Sequence, residues 1–287
     1  MSKNLIRAFW LAAALLLTGV LTVGCASFDE QQRRWIFQPQ TAGASQRTGN
    51  TDGMDDVWIE YAAPSDDSKV KLHALWLANA DPRAPVLLYL HGARRNVSSS
   101  AFRIRQMQEL GFSVLAIDYR GFGRSSEGLP SENSVAEDAL AAWAWLDRHH
   151  GRQPRYIFGH SLGGAIAVQL ASDVKDVNDA KGLILEGTFT SIPDVFETMK
   201  WGWLPITPLI TQRFDSARKI ERLTLPVLVV HGEADTLIRP ELGRALFERA
   251  TAPKRFELVQ GGTHYSTNGV GQAQYKEALR GLFGLGA

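Results

Sequence analysis

From Val86 onward, short runs of apolar residues alternate with longer stretches whose apolar positions recur at helical spacing. The runs are Val86–Leu90, Val114–Ile117, Tyr156–Phe158, Leu183–Leu185 and Val227–Val230, and each is too uniformly apolar for a strand with one wet face. They read as strands buried on both sides. Between and after them, Phe102–Leu110, Val135–His149, Gly163–Ala171, Pro240–Arg249 and Gln272–Leu282 carry helical spacing, and Phe256–Val259 supplies a last strand. Such alternation predicts an α/β fold, a mainly parallel sheet flanked by helices. Ahead of it, Val57–Ala62 and Leu72–Ala78 half-alternate around Pro64-Ser65-Asp66-Asp67, which predicts an antiparallel hairpin.

One segment breaks the rhythm. Residues 190–219, richest in aromatics and prolines from Pro193 to Lys219, are too long for a plain crossover. They predict either a small cap of short helices over the carboxyl edge of the sheet, lined by Trp201 and Trp203, or a crossover helix with core-facing aromatics.

The amino terminus follows a different logic. Lys3 and Arg7 precede 16 uncharged residues, Ala8 to Val23, a run short for a spanning helix and suited to the apolar core of a signal peptide. Leu21-Thr22-Val23-Gly24-Cys25 then resembles the bacterial lipobox, with Thr22 where Leu is usual. The resemblance implies residues 1–24 as a signal peptide, lipid on Cys25 and membrane anchoring through that lipid. Ala26, rather than an aspartate, in the next position implies the outer membrane of a bacterial envelope. Gln38–Met54 is polar and Gly/Ser/Thr-rich, so 25–54 is expected to be a lipidated N-terminus and tether ahead of a 55–287 domain.

Composition narrows the functional classes. Among 287 residues, 31 basic and 30 acidic side chains nearly cancel, too balanced for a nucleic-acid binder. With one cysteine, no internal disulfide forms. The sequence contains no P-loop spacing, no dinucleotide glycine fingerprint and no His-Glu-x-x-His helix, so nothing in it supports nucleotide or metal use.

Gly159-His160-Ser161-Leu162-Gly163 sits between a predicted strand and a predicted helix, the context a nucleophile elbow requires. The glycines permit a sharp turn that lifts the serine oxygen above the sheet, beside the amides that open a helix. A serine at neutral pH needs a base, and the base needs an orienting acid. Of seven histidines, His264 lies in the loop between the last strand and the last helix, late enough to fold back over Ser161. Asp235 follows the Val227 strand at the same predicted edge. Glu186, at the end of the Leu183 strand, and Glu233 are alternative acids. The order Ser161, Asp235, His264 is that of an α/β-hydrolase triad. The amides of Ala93 and Leu162 are placed to receive an oxyanion.

These stretches, together with His91-Gly92, Asp118-Tyr119-Arg120-Gly121-Phe122-Gly123-Arg124-Ser125, Phe189-Thr190-Ser191 and Arg213-Phe214-Asp215-Ser216, resemble the α/β-hydrolase superfamily, in particular its Bem46-type branch. The resemblance implies a cofactor-free serine hydrolase acting on small-molecule or lipid acyl esters or thioesters. Arg94 and Arg95 depart from the small residues usual after His-Gly and suggest an anion-binding rim. An exopeptidase or amidase using the same triad, or a non-catalytic envelope lipoprotein that binds a ligand, are the alternatives.

Overall fold

The computed structural model describes residues 26–39, 49–94, 96–174 and 180–286. Cys25 and Arg95, and with them the expected signal peptide and lipidation site, lie outside the described residues. Eight strands form one sheet: β1 (Asp55–Ala62), β2 (Lys69–Leu77), β3 (Val86–Leu90), β4 (Ser113–Ile117), β5 (Arg155–His160), β6 (Gly182–Glu186), β7 (Val227–Gly232) and β8 (Lys254–Val259). Their order is β1-β2-β4-β3-β5-β6-β7-β8. The β1–β2 and β2–β4 pairs are antiparallel and all later pairs are parallel.

Every residue of β3, β4, β5, β6 and β7 is buried, which is why their sequences show no polar alternation. Alternate residues feed two cores. Leu88 and Leu90 of β3 face one, with Ile166 and Leu185, while Leu87 and Tyr89 face the other, with Phe158 and Ile104. Each such fully buried side chain contributes about 1.5–3 kcal/mol of transfer free energy.

The helices are α1 (residues 26–37) and α2 (Ala101–Glu109), α3 (Glu132–His150), α4 (Leu162–Asp173), α5 (Ile192–Glu197), α6 (Ser216–Ile220), α7 (Pro240–Arg249), α8 (Thr267–Val270) and α9 (Gln272–Phe283). Local chemistry sets their ends. Ser131 and Ser134 form a reciprocal capping box at the start of α3, and Ser191 caps α5 ahead of Pro193. Between β6 and β7 the chain builds α5, a 3-10 turn at Thr207–Leu209 and α6, so short helices, not one long crossover, occupy residues 190–219.

The segment expected as a tether contains α1, and α1 is docked on the domain. Phe37 is fully buried and meets Phe214 edge-on at 5.8 Å. Gln32 donates to the Leu209 carbonyl and accepts from the Thr211 amide, each at 3.0 Å, and Arg33 donates to the carbonyls of Leu129 and Pro130. The folded unit therefore begins well before Asp55. Residues 40–48, in the middle of the expected tether, lie outside the described residues.

The strand order reverses at β3, whose neighbours are β4 on one side and β5 on the other. In an open parallel sheet, connections leave such a reversal point in opposite directions and open a crevice at the carboxyl ends of the strands. The crevice here lies between the ends of β3, at His91, and β5, at Ser161.

Candidate active site

Ser161 leaves β5 with φ 56° and ψ −124°, a conformation that a residue with a Cβ adopts only when its surroundings force it. The surroundings are specific. Its amide donates to the Glu186 carbonyl at 2.9 Å, and its carbonyl accepts from the Gly164 amide and the Thr188 hydroxyl, each at 2.9 Å. A methyl group at Gly159 would strike the Gly163 carbonyl, and one at Gly163 would strike the Leu90 carbonyl, so strand and helix meet at a distance only glycine allows. Leu162 opens α4, where its amide has no intrahelical acceptor. The backbone after β3 closes the other side. A methyl at Gly92 would stand 3.0 Å from the Ser161 Cβ and 3.5 Å from its Oγ, so the backbone just ahead of Ala93 passes close to the serine.

Asp235 and His264 are joined. His264 Nδ1 lies 2.8 Å from Asp235 Oδ2, and both residues are buried. Their loops are fastened to each other by Ala234 N–H to the Gly262 carbonyl and Glu233 N–H to the Val259 carbonyl, both 2.9 Å. Asp235 Oδ1 accepts the amides of Leu237 and Ile238 at 2.9 Å each. Burial pushes the Asp235 carboxyl upward, but His231, 3.5 Å away, with His264 and the loop amides, overcomes it and holds the group well below the usual carboxylate range. An ionised Asp235 fixes the proton of His264 on Nδ1 and leaves Nε2 as the basic nitrogen. His264 and Ser161 line the same cavity.

The alternative acids are placed elsewhere. Glu186 is fully buried and spoken for by Arg103 Nε at 2.8 Å and by the Tyr275 hydroxyl. Glu233 is exposed. Of the other histidines, His231 Nε2 donates to the Ile238 carbonyl at 2.9 Å, His91 Nδ1 to the Gly92 carbonyl at 2.6 Å, and His73 sits between Asp56 and Asp118.

Above the serine opens a cavity of about 530 Å³, within the range of small-molecule sites. Its walls are mainly apolar: Ile36, Leu162, Phe189, Val195, Ile210 and Ile238 are among them. Arg94 lines it too, exposed and with φ 67°, its amide donating to the Phe37 carbonyl at 2.9 Å. Trp201 and Trp203, expected as lining, stand outside it on the cap, 57% and 73% exposed. The physical reason is the turn after α5, which directs residues 200–204 outward while Met199 still lines the cavity; α1 supplies the wall in their place.

Two features escaped the sequence reading. The first is α1, whose Phe28, Gln32, Trp35 and Ile36 all line the cavity. Their spacing of four, seven and eight residues is that of one helical face, and Glu30 and Arg34 pair across one turn, so a signal was present. The second is the set of groups behind His264. His160 Nε2 lies 2.9 Å from the His264 carbonyl, and a largely buried Arg103 donates to the Tyr265 carbonyl at 3.3 Å and to Glu186. These partners are 83 to 162 residues apart and leave no local pattern.

Among the described residues no cluster of His, Cys, Asp or Glu is arranged to hold a metal ion, and no helix is long and apolar enough to cross a membrane.

Comparison with known proteins agrees with this fold. The sequence pattern of the serine aminopeptidase S33 family matches residues 80–219. An uncharacterised protein of Mycobacterium tuberculosis is 32% identical over 254 residues, 88% of this chain and 85% of its own length. A lysophosphatidylserine lipase of Danio rerio is 34% identical over 185 residues, 59% of this chain and 48% of its own, so the chain spans about half the length of that lipase. Among solved structures, an esterase of Pyrococcus furiosus superposes with a TM-score of 0.67 at 20% identity, covering 85% of this chain and 96% of that one. The ferulic-acid complex of Est1E from Butyrivibrio proteoclasticus gives 0.64 at 19%, covering 79% and 99%. The elbow at Ser161, the reversal of strand order beside it and these relatives together place the chain in the α/β-hydrolase superfamily, among its serine hydrolases.

Proposed function

We propose that the protein hydrolyses carboxylic esters or thioesters of single acyl chains through a covalent acyl-enzyme, with Ser161 as nucleophile, His264 as base and Asp235 as the group that orients it. The observation that carries this reading is the 2.8 Å bond from His264 Nδ1 to a buried, ionised Asp235, in a loop that opens on the same cavity as Ser161. Nε2 of His264 takes the serine proton as Oγ attacks the acyl carbon. The amides of Leu162 and Ala93 receive the charge that develops on the carbonyl oxygen. The alcohol or thiol leaves with the proton from His264, and water, deprotonated by the same nitrogen, then releases the acid.

The apolar cavity walls favour an acyl chain as the group bound. Among the described residues that line the cavity none is a carboxylate, whereas Arg94 and Arg103 are cationic. A peptide with a free amino terminus would find no counter-charge there, which weighs against an exopeptidase. The lysophosphatidylserine lipases among the relatives support a lipid ester as substrate. With the lipobox-like stretch ahead of Cys25, the enzyme is proposed to work anchored by lipid to the bacterial envelope.

Fluorophosphonate labelling of the purified protein, lost in Ser161→Ala, tests the mechanism; well-folded wild-type protein that takes no label would leave only a binding module. A series of nitrophenyl esters tests the substrate class. Turnover rising from acetate towards octanoate is expected, and activity confined to acetate would contradict it.

A further inference from the structure

The mouth of the cavity is rimmed by apolar side chains that the fold leaves in water. Phe28 and Trp35 of α1, Met199 and Leu209 of the cap, Leu237 after β7 and Tyr265 after β8 all line the cavity and are each 43–64% exposed. Trp201 and Trp203, two and four residues beyond Met199 in the same cap, are exposed as well. These residues come from four separate segments of chain and converge on one opening. A contiguous exposed apolar patch of this kind marks an interaction face rather than ordinary surface. Beside it the Lys200 ammonium lies 5.5 Å from the Trp201 ring, the pairing of cation and indole that suits the boundary between headgroups and acyl chains.

The sequence indicates what covers the rim. The 16-residue apolar run ends at Val23, and Cys25 immediately precedes α1. Phe28 is three residues past Cys25 in the sequence, at most about 11 Å of chain. Whether the apolar run or a lipid on Cys25 holds the bilayer, the point of attachment is a few residues from the cavity mouth. Helix α1 is fixed to the cap through Gln32 and to the loop after β3 through Phe37. Attachment at that point sets the orientation of the whole domain.

We infer that the rim formed by α1, the cap and the loops after β7 and β8 docks onto a phospholipid bilayer, mouth down, so that an acyl chain passes from the membrane into the cavity without crossing water. The inference rests on the proposed membrane anchoring, and it adds a face and an orientation to it. Transfer of a long chain through water would expose each of its methylenes to solvent, and a docked mouth avoids that barrier.

The test uses the full chain in phosphatidylcholine vesicles whose acyl chains are brominated near the headgroup, since bromine quenches tryptophan on contact. Quenching is expected in the wild type and a smaller quenched fraction in a Trp201→Phe/Trp203→Phe chain. A companion Trp201→Glu/Trp203→Glu chain is expected to lose about tenfold or more of its turnover on a long-chain monoacyl ester held in vesicles. Its turnover of soluble nitrophenyl butyrate should stay within about twofold of wild type, because neither tryptophan lines the cavity. A vesicle-bound chain whose quenching is untouched by the phenylalanine pair overturns the docking and leaves the anchoring standing. Failure to bind vesicles at all overturns both. Dissociation of a dimer by the glutamate pair, with no change in quenching, assigns the rim to a second copy and also overturns the proposal. Where no ester is turned over, the quenching comparison decides the docking by itself.

Discussion

His160 Nε2 lies 2.9 Å from the main-chain carbonyl of His264, 104 residues further along. A carbonyl only accepts, so Nε2 carries the proton. The ring inside the serine motif thus holds the loop that carries the proposed base. Burial, with the Arg103 charge and His264 nearby, pushes the His160 ring well below its ordinary value and keeps it neutral.

Losing this bond is expected to loosen the base, not the substrate. His160→Ala should lower kcat about 10- to 100-fold with KM for a soluble ester within about threefold, because misplacing a reacting group affects the transition state most. His160→Gln, which retains a donor, should recover part of the loss. Steady-state kinetics on both variants checks the split; equal loss in both, or a change confined to KM, would contradict a positioning role.

The same ring links stability to pH. The native protein holds His160 neutral, whereas the unfolded chain takes up a proton near pH 6.5, so below that value the unfolded state binds more protons and gains ground. The stabilisation is fully present above about pH 6.5 and is lost as pH falls below it. Thermal midpoints measured from pH 7.5 to 5.5 should fall more steeply for the wild type than for His160→Gln. His150, also held low by burial and by His149, acts in the same direction in both proteins and cancels from the comparison.

Asp235→Asn keeps the shape of the loop but removes the charge that fixes the His264 proton on Nδ1. We expect about 10³- to 10⁴-fold loss in kcat, as for other hydrolases that rely on such an acid. Rates of fluorophosphonate labelling should fall in parallel. A loss below tenfold would place the orienting acid elsewhere.

Two glycines near the serine separate collision from strain. Gly163→Ala would drive a methyl into the Leu90 carbonyl, and we expect destabilisation of about 3 kcal/mol or more. Gly187 has φ 56°, but a methyl there meets His264 Nδ1 and Asp235 Oδ2 at ordinary contact distances of 3.4 and 3.5 Å. Gly187→Ala should therefore cost only the strain of about 1–2 kcal/mol. Urea unfolding of the two variants gives the comparison directly.

Gln32 ties α1 to the cap with two bonds that span some 180 residues of chain. Gln32→Ala leaves the Leu209 carbonyl and Thr211 amide without that partner, at about 1–2 kcal/mol of stability. Amide exchange at Thr211 should accelerate. KM for an octanoate ester should rise several-fold while that for acetate changes little, since a short chain does not reach the α1 wall.

The central strands, the helices between them and the serine turn were all legible in the chain, because each depends on neighbours within a few residues. Leu87 to Leu90 are apolar without alternation since both faces of β3 are covered, and Gly159 and Gly163 are required by a collision four residues apart. The order of Ser161, Asp235 and His264 was legible for a related reason: in a parallel sheet every strand ends at the same edge, so residues just past strand ends converge. The contact between His264 and Asp235, the enclosure of Glu186 by Arg103 and Tyr275, the outward turn of Trp201 and Trp203 and the docking of α1 were decided only in three dimensions. Each joins side chains from elements distant along the chain, and a helix face or a buried charge finds its partner through packing, which no local pattern encodes.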